Sequence, residues 1–347
     1  MLAYLVKRTA WAGVLFLVIT MVTFVLFFVL PVSNARFVRR TEFSSNDFKR
    51  TLQVDGPIYK QYGQFVARIV RHGSLGSSYD TRRDVNSIVG QAAPVTLSLV
   101  LGGAFVWMLI AIPVGVLSAV RPRSLLDRVT MIGVLVGISA HPIWIGLMLS
   151  YFVGYKWGLA PINGYCDFAY AATSCGGPIQ WAYHLMLPWI TFAILFAALY
   201  VRMIRANVLD VLDEDYVRTA RAKGMSEWKV LRRHVFRNAF LPVITMLGMD
   251  IAVTLNAAVF VETIYGLPGL GKTAVQALQR QDLPTILGIV VWTTITILVL
   301  NLIVDLLYHW LDPRVRETQT GRVRVRSTPA SASAPPTSAE PAVQPTR

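Results

Sequence analysis

The stretch Lys7-Arg8-Thr9-Ala10-Trp11-Ala12-Gly13-Val14-Leu15-Phe16-Leu17-Val18-Ile19-Thr20-Met21-Val22-Thr23-Phe24-Val25-Leu26-Phe27-Phe28-Val29-Leu30 decides the fold. Two basic residues precede an apolar run, as in a secretory leader. The run from Ala10 to Leu30 has about 20 residues, enough to cross ~30 Å of hydrocarbon as a helix. It lacks a small-residue cleavage site at its end. It therefore reads as a retained transmembrane helix that starts on the inner side.

Five more long apolar stretches follow, near Ala93–Val120, Val129–Phe152, His184–Val201, Phe240–Val261 and Thr285–Trp310. Pro113, Pro142 and Pro188 fall inside these spans or at their ends, where membrane helices tolerate proline because neighbours re-satisfy the freed carbonyls. The chain is 54% hydrophobic and only 15% charged, against roughly 25% charged in soluble domains. The expected fold class is an all-α polytopic membrane protein with six spans. A net charge of +14 could suggest nucleic acid. Basic loops meeting anionic lipid explain it better, and nucleic-acid binding is not expected.

The distribution of Lys and Arg orients the spans. With the N-terminus inside, segments 1–10, 121–128, 202–240 and 311–347 hold 20 of the 33 basic residues. The outer segments 152–183 and 263–284 hold 1 and 2. Segment 31–90 holds 10, but it is long enough to escape the positive-inside rule. Six spans return the C-terminus to the cytoplasm. Within 31–90, the apolar stripe of Ile58–Arg71 predicts an amphipathic helix on the outer face. The tail, rich in Pro, Ser, Ala and Thr, is expected to be disordered. The domain reading is 1–92 for the first span and outer segment, 93–316 for a five-helix core, and 317–347 for the tail.

Cys166 and Cys175, the only cysteines, fall in an outer loop by this topology. An oxidising compartment favours a disulfide between them, and no metal site is expected. The segment Gly266-Leu-Pro-Gly-Leu-Gly271-Lys272-Thr273 fits the phosphate-binding pattern G-x-x-x-x-G-K-[ST]. It follows a membrane helix on the outer side, with no preceding buried strand and no magnesium-binding carboxylate nearby, so it reads as a tight turn into a short helix, Thr273–Leu278. A membrane-bound P-loop enzyme is kept as the alternative from another class, and a structural membrane scaffold as a third. Thiol labelling of a cysteine at Lys272 from the outside would exclude the enzyme.

The longest inner loop, 202–240, reads as two short helices around Gly224. Asp213, Glu214 and Asp215 sit where the first begins and complement its dipole. Val217, Ala220 and Ala222 offer it a small apolar face. Gly224 ends it, and Ser226 with Glu227 starts the next. Arg232, Arg233, His234 and Arg237 make the second helix basic. Such a unit can dock into a groove of another protein or lie on lipid, and both readings stand open on composition.

The run Asp215-Tyr216-Val217-Arg218-Thr219-Ala220-Arg221-Ala222-Lys223-Gly224, with Arg233-His234, Arg237-Asn238-Ala239 and Leu241-Pro242, resembles the EAA loop of ABC importer permeases of the dipeptide and oligopeptide branch. Arg218, Thr219 and Ala220 stand where the general pattern has Glu-Ala-Ala, and the Leu-Pro pair lies further from the glycine. Gln64–Ser78, Pro94–Leu99, Ile112–Ala119, Leu159–Gly164, Phe260–Gly271, Asn301–Tyr308 and Leu311–Arg314 resemble the same branch in order, over roughly 1–316. Leu30-Pro-Val-Ser-Asn departs from its usual LPGDP.

The resemblance implies a type I ABC importer transmembrane domain, with no enzyme activity and no cofactor of its own. It implies a second homologous permease, two ABC ATPases that hold ATP and magnesium, and an extracytoplasmic substrate-binding protein, all at a bacterial cytoplasmic membrane. Asp215 to Gly224 would couple to the ATPases, so that a bulky residue at Gly224 or a charge at Ala220 would uncouple hydrolysis from uptake. Peptides are the implied solute; nickel chelates, glutathione or sugar-peptides are variants. Polar residues inside a membrane are costly and often functional. His141, Asp250, Asn256 and Asn301 are the candidates for a translocation pathway. Asp250 either meets a substrate amine or bonds to the partner permease. His141 before Pro142 reads as satisfying a helix break. Glu262 and Asp305, near span ends, read as snorkelling or interface residues.

Overall fold

A computed structural model describes residues 2–28, 58–169, 175–280 and 282–311. The Leu30–Asn34 departure and the expected disordered tail lie outside these residues, as does the side chain of Asp305. Helix α1 is Leu2–Phe28, α2 Ile58–His72, α3 Val85–Val120 and α4 Leu125–Ser139. Helix α5 is Pro142–Leu149 and runs on as a π-helical stretch, Ser150–Lys156. Helix α6 is Pro178–Leu212 and α7 Asp215–Ala222. Helix α8 is Glu227–Val230, continued by the π-helical Leu231–Val235 and by Phe236–Ala239. Helix α9 is Leu241–Ile264, α10 Leu270–Arg280 and α11 Leu283–Leu311.

Five helices are each long and apolar enough to cross a membrane: α1, α3, α6, α9 and α11. The sixth span, expected as one helix over Val129–Phe152, is instead the pair α4 and α5, bent by 103°. The cause is local. Pro142 lacks an N–H and disfavours helical backbone at the residue before it. His141 accordingly turns extended, at φ −75° and ψ 139°. Its ring Nδ1 then accepts from Ile143 N at 3.3 Å, capping the new helix.

Helices α3 and α6 form the centre of the bundle. Trp107 stacks on Phe196 with ring centroids 4.6 Å apart, and Leu99, Phe192, Tyr200 and Ile204 are buried around them. Without water to drive helices together, close packing at small residues does so. A Cβ on Gly115 would lie 3.0 Å from Ile204 and 3.1 Å from the Val201 carbonyl. A Cβ on Gly137 would lie 2.9 Å from Ala198. Helix α6 also extends well past the expected Val201, so residues 202–212 belong to the span helix and not to the inner loop expected over 202–240.

The amphipathic helix α2 packs on α1. Tyr62 donates its hydroxyl to the Leu17 carbonyl at 2.8 Å, and Phe24 meets the Tyr62 and Phe65 rings at 5.7 and 5.9 Å. One end of the bundle gathers the α2–α3 connection, the α5–α6 connection and α10. There Asp282 accepts from the Ser78 hydroxyl at 2.5 Å, the Tyr79 amide at 3.0 Å and the Thr285 hydroxyl at 2.6 Å. The opposite end carries the α3–α4 turn and the α7–α8 unit.

Candidate functional site

Helix α7 starts after Glu214, whose extended backbone (φ −67°, ψ 144°) marks the N-cap. It stops at Gly224, which takes φ +78°. Gly224 N donates to the Arg221 carbonyl at 2.9 Å and Met225 N to the Ala220 carbonyl at 3.3 Å. These two bonds are a Schellman motif, which needs a left-handed residue at the glycine position. Arg221 closes the turn with a two-pronged bond to Glu227, at 2.9 and 3.2 Å. Asn238 donates to the Tyr216 hydroxyl at 2.8 Å, tying α7 to the last turn of α8.

One expectation for this loop is overturned. Val217 and Ala220 do not offer an apolar face to another protein. Both are buried, in one core cluster with Val208 of α6 and Val230, Leu231 and Val235 of α8. Their i,i+3 spacing gives one stripe, and this chain covers it. A charge at Ala220 would therefore disturb the loop's own packing. The residues that α7 leaves exposed are Asp215, Tyr216, Arg218, Thr219, Arg221, Ala222 and Lys223.

Two residues that sequence reasoning missed form an ion pair toward the same end of the bundle. Arg205 of α6 makes a bidentate pair with buried Asp127, at 2.7 and 2.9 Å. Asp127 also accepts from the Ser118 hydroxyl and from Arg123 N at 2.9 Å. The pair joins α3, α4 and α6, one turn of α6 before Val208. Its only sequence signal was Ser124, three residues ahead of Asp127, as a helix cap.

Of the four intramembrane candidates, two share one neighbourhood. His141 faces the Phe260 ring at 6.4 Å. Phe260 and Asn256 lie one turn apart on the exposed stripe of α9. Asn256 donates to the Ala252 carbonyl at 3.1 Å. Asp250 lies at the edge of the same stripe, half-buried, and accepts from the Tyr200 hydroxyl at 2.7 Å. Asn301 is not brought to them. It sits on α11, three residues before Val304, which packs on Gly248, about 200° around α9 from Asp250 at 100° per residue.

The turn Gly266–Thr273 does enclose an acidic group, but the group belongs to the chain. Glu262 is fully buried, not snorkelling as expected. It accepts from the Thr96 hydroxyl at 2.6 Å, from Lys272 N at 2.9 Å and from Gly271 N. Thr96 in turn accepts from Leu270 N at 2.8 Å. A Cβ on Gly269 would lie 2.3 Å from the Glu262 carboxyl, and one on Gly271 would lie 2.5 Å from the Val259 backbone. The Lys272 ammonium donates to the Gly266 carbonyl at 2.9 Å. The amides that would cradle a phosphate are filled, so the P-loop alternative fails on geometry. Helix α10 begins at Leu270, three residues before the expected Thr273.

Cys166 and Cys175 are joined by a disulfide, their Cα atoms 5.3 Å apart. The Cys166 sulfur lies 3.3 Å from Nδ1 of His184 on α6. Among the described residues no group of His, Cys, Asp and Glu is arranged to hold a metal ion.

Comparison with known proteins agrees with this architecture. Residues 111–317 match the family described as binding-protein-dependent transport system inner membrane component, and residues 1–100 match its N-terminal companion. The dipeptide transport system permease protein DppB of Escherichia coli (strain K12) is 33% identical over 337 residues, 91% of this chain and 99% of that protein. A putative peptide transport system permease of Brucella abortus (strain 2308) is 33% identical over 319 residues, again 91% and 99%. The probable D,D-dipeptide permease DdpB of Escherichia coli (strain K12) is 32% identical over 331 residues, 90% and 97%. In fold, the chain is similar to an inward-facing MetNI methionine ABC transporter, with TM-score 0.53 and 15% identity, covering 65% of this chain and 97% of that one. It is also similar to an amino acid ABC transporter with histidines, with TM-score 0.50 and 17% identity, covering 65% and 94%. By its six apolar segments, its family match and the length of its agreement with these relatives, the chain belongs to the binding-protein-dependent transport system inner membrane components, the permease subunits of type I ABC importers.

Proposed function

We propose that this permease imports peptides of the dipeptide or oligopeptide class across a bacterial cytoplasmic membrane, and that α7 with the Gly224 turn is its joint to the ATPases. The solute class rests on relatives named for dipeptide and peptide transport that agree over nine-tenths of the chain. They favour peptides over nickel chelates or glutathione. Both termini are taken as cytoplasmic from the charge of the loops, which puts the disulfide and the Glu262 turn outside. The core 93–316 then pairs with a second permease of the same family. An external binding protein delivers solute, and two ATPase subunits supply ATP hydrolysis with magnesium.

The observation that carries the coupling role is mechanical. ATP binding can change the pathway only through contacts that differ between two states of the joint. Helix α7 is clamped to α6 by buried Val217 and Ala220 and to α8 by Arg221–Glu227 and Tyr216–Asn238. A push on exposed Tyr216, Thr219, Ala222 or Lys223 therefore reaches the spans without slack. The test is reconstitution of the four-part complex in proteoliposomes, comparing Ala222→Trp with wild type. The expected result is ATP hydrolysis without dipeptide uptake, in a complex that still assembles. Normal uptake by that variant would refute the assignment.

A further inference from the structure

We infer that Asp250 is the cation-recognising group of the translocation pathway, and that its ligand is the free ammonium of the peptide; this rests on the peptide reading above. Asp250 lies midway along α9, where a carboxylate without a counter-charge is costly and marks function by default. Among the described residues it has no ion pair. Its side-chain partner is Tyr200, which donates to Oδ2 at 2.7 Å. Tyr200 is itself buried, with its ring 6.1 Å from that of Trp107 in the α3–α6 core. One oxygen is thus fixed by a rigid aromatic layer, and Oδ1 remains for a second partner.

The surroundings favour a small ligand over a packed subunit contact. The exposed face of α9 runs through Pro242, Met246, Met249, Val253, Asn256, Phe260 and Thr263. Helices that pack tightly in a membrane meet through small residues such as Gly, Ala and Ser. Apart from Thr263 at its end, this stripe has no such small residue. Its two methionines are flexible and polarisable, suited to ligands of varied shape. Asp250 and Asn256 are about 9 Å apart along the axis at 1.5 Å per residue and about 120° apart around it at 100° per residue, on the two sides of the stripe. An extended dipeptide spans about 7 Å, so with its ammonium at Asp250 it lies across the exposed stripe, its carboxylate directed toward the side that carries Asn256.

The experiment uses the complete importer with its binding protein in proteoliposomes, and radiolabelled alanyl-alanine as the probe. Asp250→Asn is expected to lower uptake by roughly 10-fold or more, while ATP hydrolysis stimulated by loaded binding protein stays within about 2-fold, as for loss of one ligand contact. Asp250→Glu is expected to keep most of the uptake. Asp250→Cys is expected to react with a water-soluble thiol reagent, more slowly when alanyl-alanine is present. Uptake by Asp250→Asn equal to wild type overturns the inference alone. Loss of the second permease on purification of Asp250→Asn also overturns it, since Oδ1 would then serve subunit pairing. A wild-type complex that moves no dipeptide removes the peptide reading, and this inference with it.

Discussion

Replacing Glu262 by alanine tests the reading of the Gly266–Thr273 turn most directly. The carboxylate is fully buried and takes hydrogen bonds from Thr96, Lys272 N and Gly271 N. Truncation leaves two backbone amides without an acceptor. The Thr96 hydroxyl can turn toward the Ala92 carbonyl, already 3.5 Å away. Each stranded buried donor costs ~1–3 kcal/mol, so Glu262→Ala is expected to cost about 2–6 kcal/mol. That is a large share of the ~5–15 kcal/mol that holds a typical domain folded. Glu262→Gln keeps one oxygen for the amides and turns its NH₂ to Thr96, so it should lose only ~1–2 kcal/mol. Lys272→Ala removes one ammonium–carbonyl bond at a half-buried site and should cost ~1 kcal/mol. The assay is the midpoint of thermal loss of monodisperse complex in detergent. A Lys272→Ala midpoint as low as that of Glu262→Ala, or a Glu262→Ala midpoint equal to wild type, would refute the reasoning.

Three further outcomes follow from other contacts. Arg205→Ala leaves Asp127 charged and buried, which should cost ~3–5 kcal/mol; the double variant Asp127→Ala/Arg205→Ala should be more stable than Arg205→Ala alone, measured by yield and thermal midpoint. A Cβ at Gly224 meets nothing within 4 Å, so Gly224→Ala should cost only the strain of its positive φ, about 1–2 kcal/mol, read as faster limited proteolysis at the α7–α8 turn, with Gly224→Asn milder. Breaking the Cys166–Cys175 link, which spans nine residues, should cost ~2–3 kcal/mol. A reducing agent should then lower the wild-type midpoint to that of a double-alanine variant and leave the variant unmoved.

The spans were legible because hydropathy reports the solvent of each residue, and six apolar runs admit few other folds. What hydropathy could not report is pairing. It ended the fourth span at Val201 because Arg202 and Arg205 follow, yet Arg205 is neutralised by an acid 78 positions earlier. It placed Glu262 at the interface because it cannot see three donors converging from residues 96, 271 and 272. Pro142 announced a break in the third span, but a bend of 103° depends on what the two halves pack against. In the α7–α8 loop, the stripe of Val217 and Ala220 and the glycine stop were legible. Which protein covers the stripe was not, since a small apolar face looks the same whether its cover is another subunit or the chain's own next helix. The gathering of His141 and Asn256 near Phe260, and the separation of Asn301 from them, also depend on helix rotation, which no residue pattern in a uniformly apolar segment encodes.

The length of α6 has a mechanical consequence. Its 35 residues make a rod of about 52 Å at 1.5 Å per residue. One end is clamped to α7 through Val208, and the other begins three residues after Cys175, in the cross-linked loop. A tilt of about 5° about one end displaces the other by roughly 4–5 Å over that rod length. A small rotation at its α7 end is thereby carried along the rod as a larger stroke at the far end, with Pro188 the proline inside the helix at which it can bend. The disulfide loop touches that end of the rod, with the Cys166 sulfur 3.3 Å from Nδ1 of His184 about two turns into the helix.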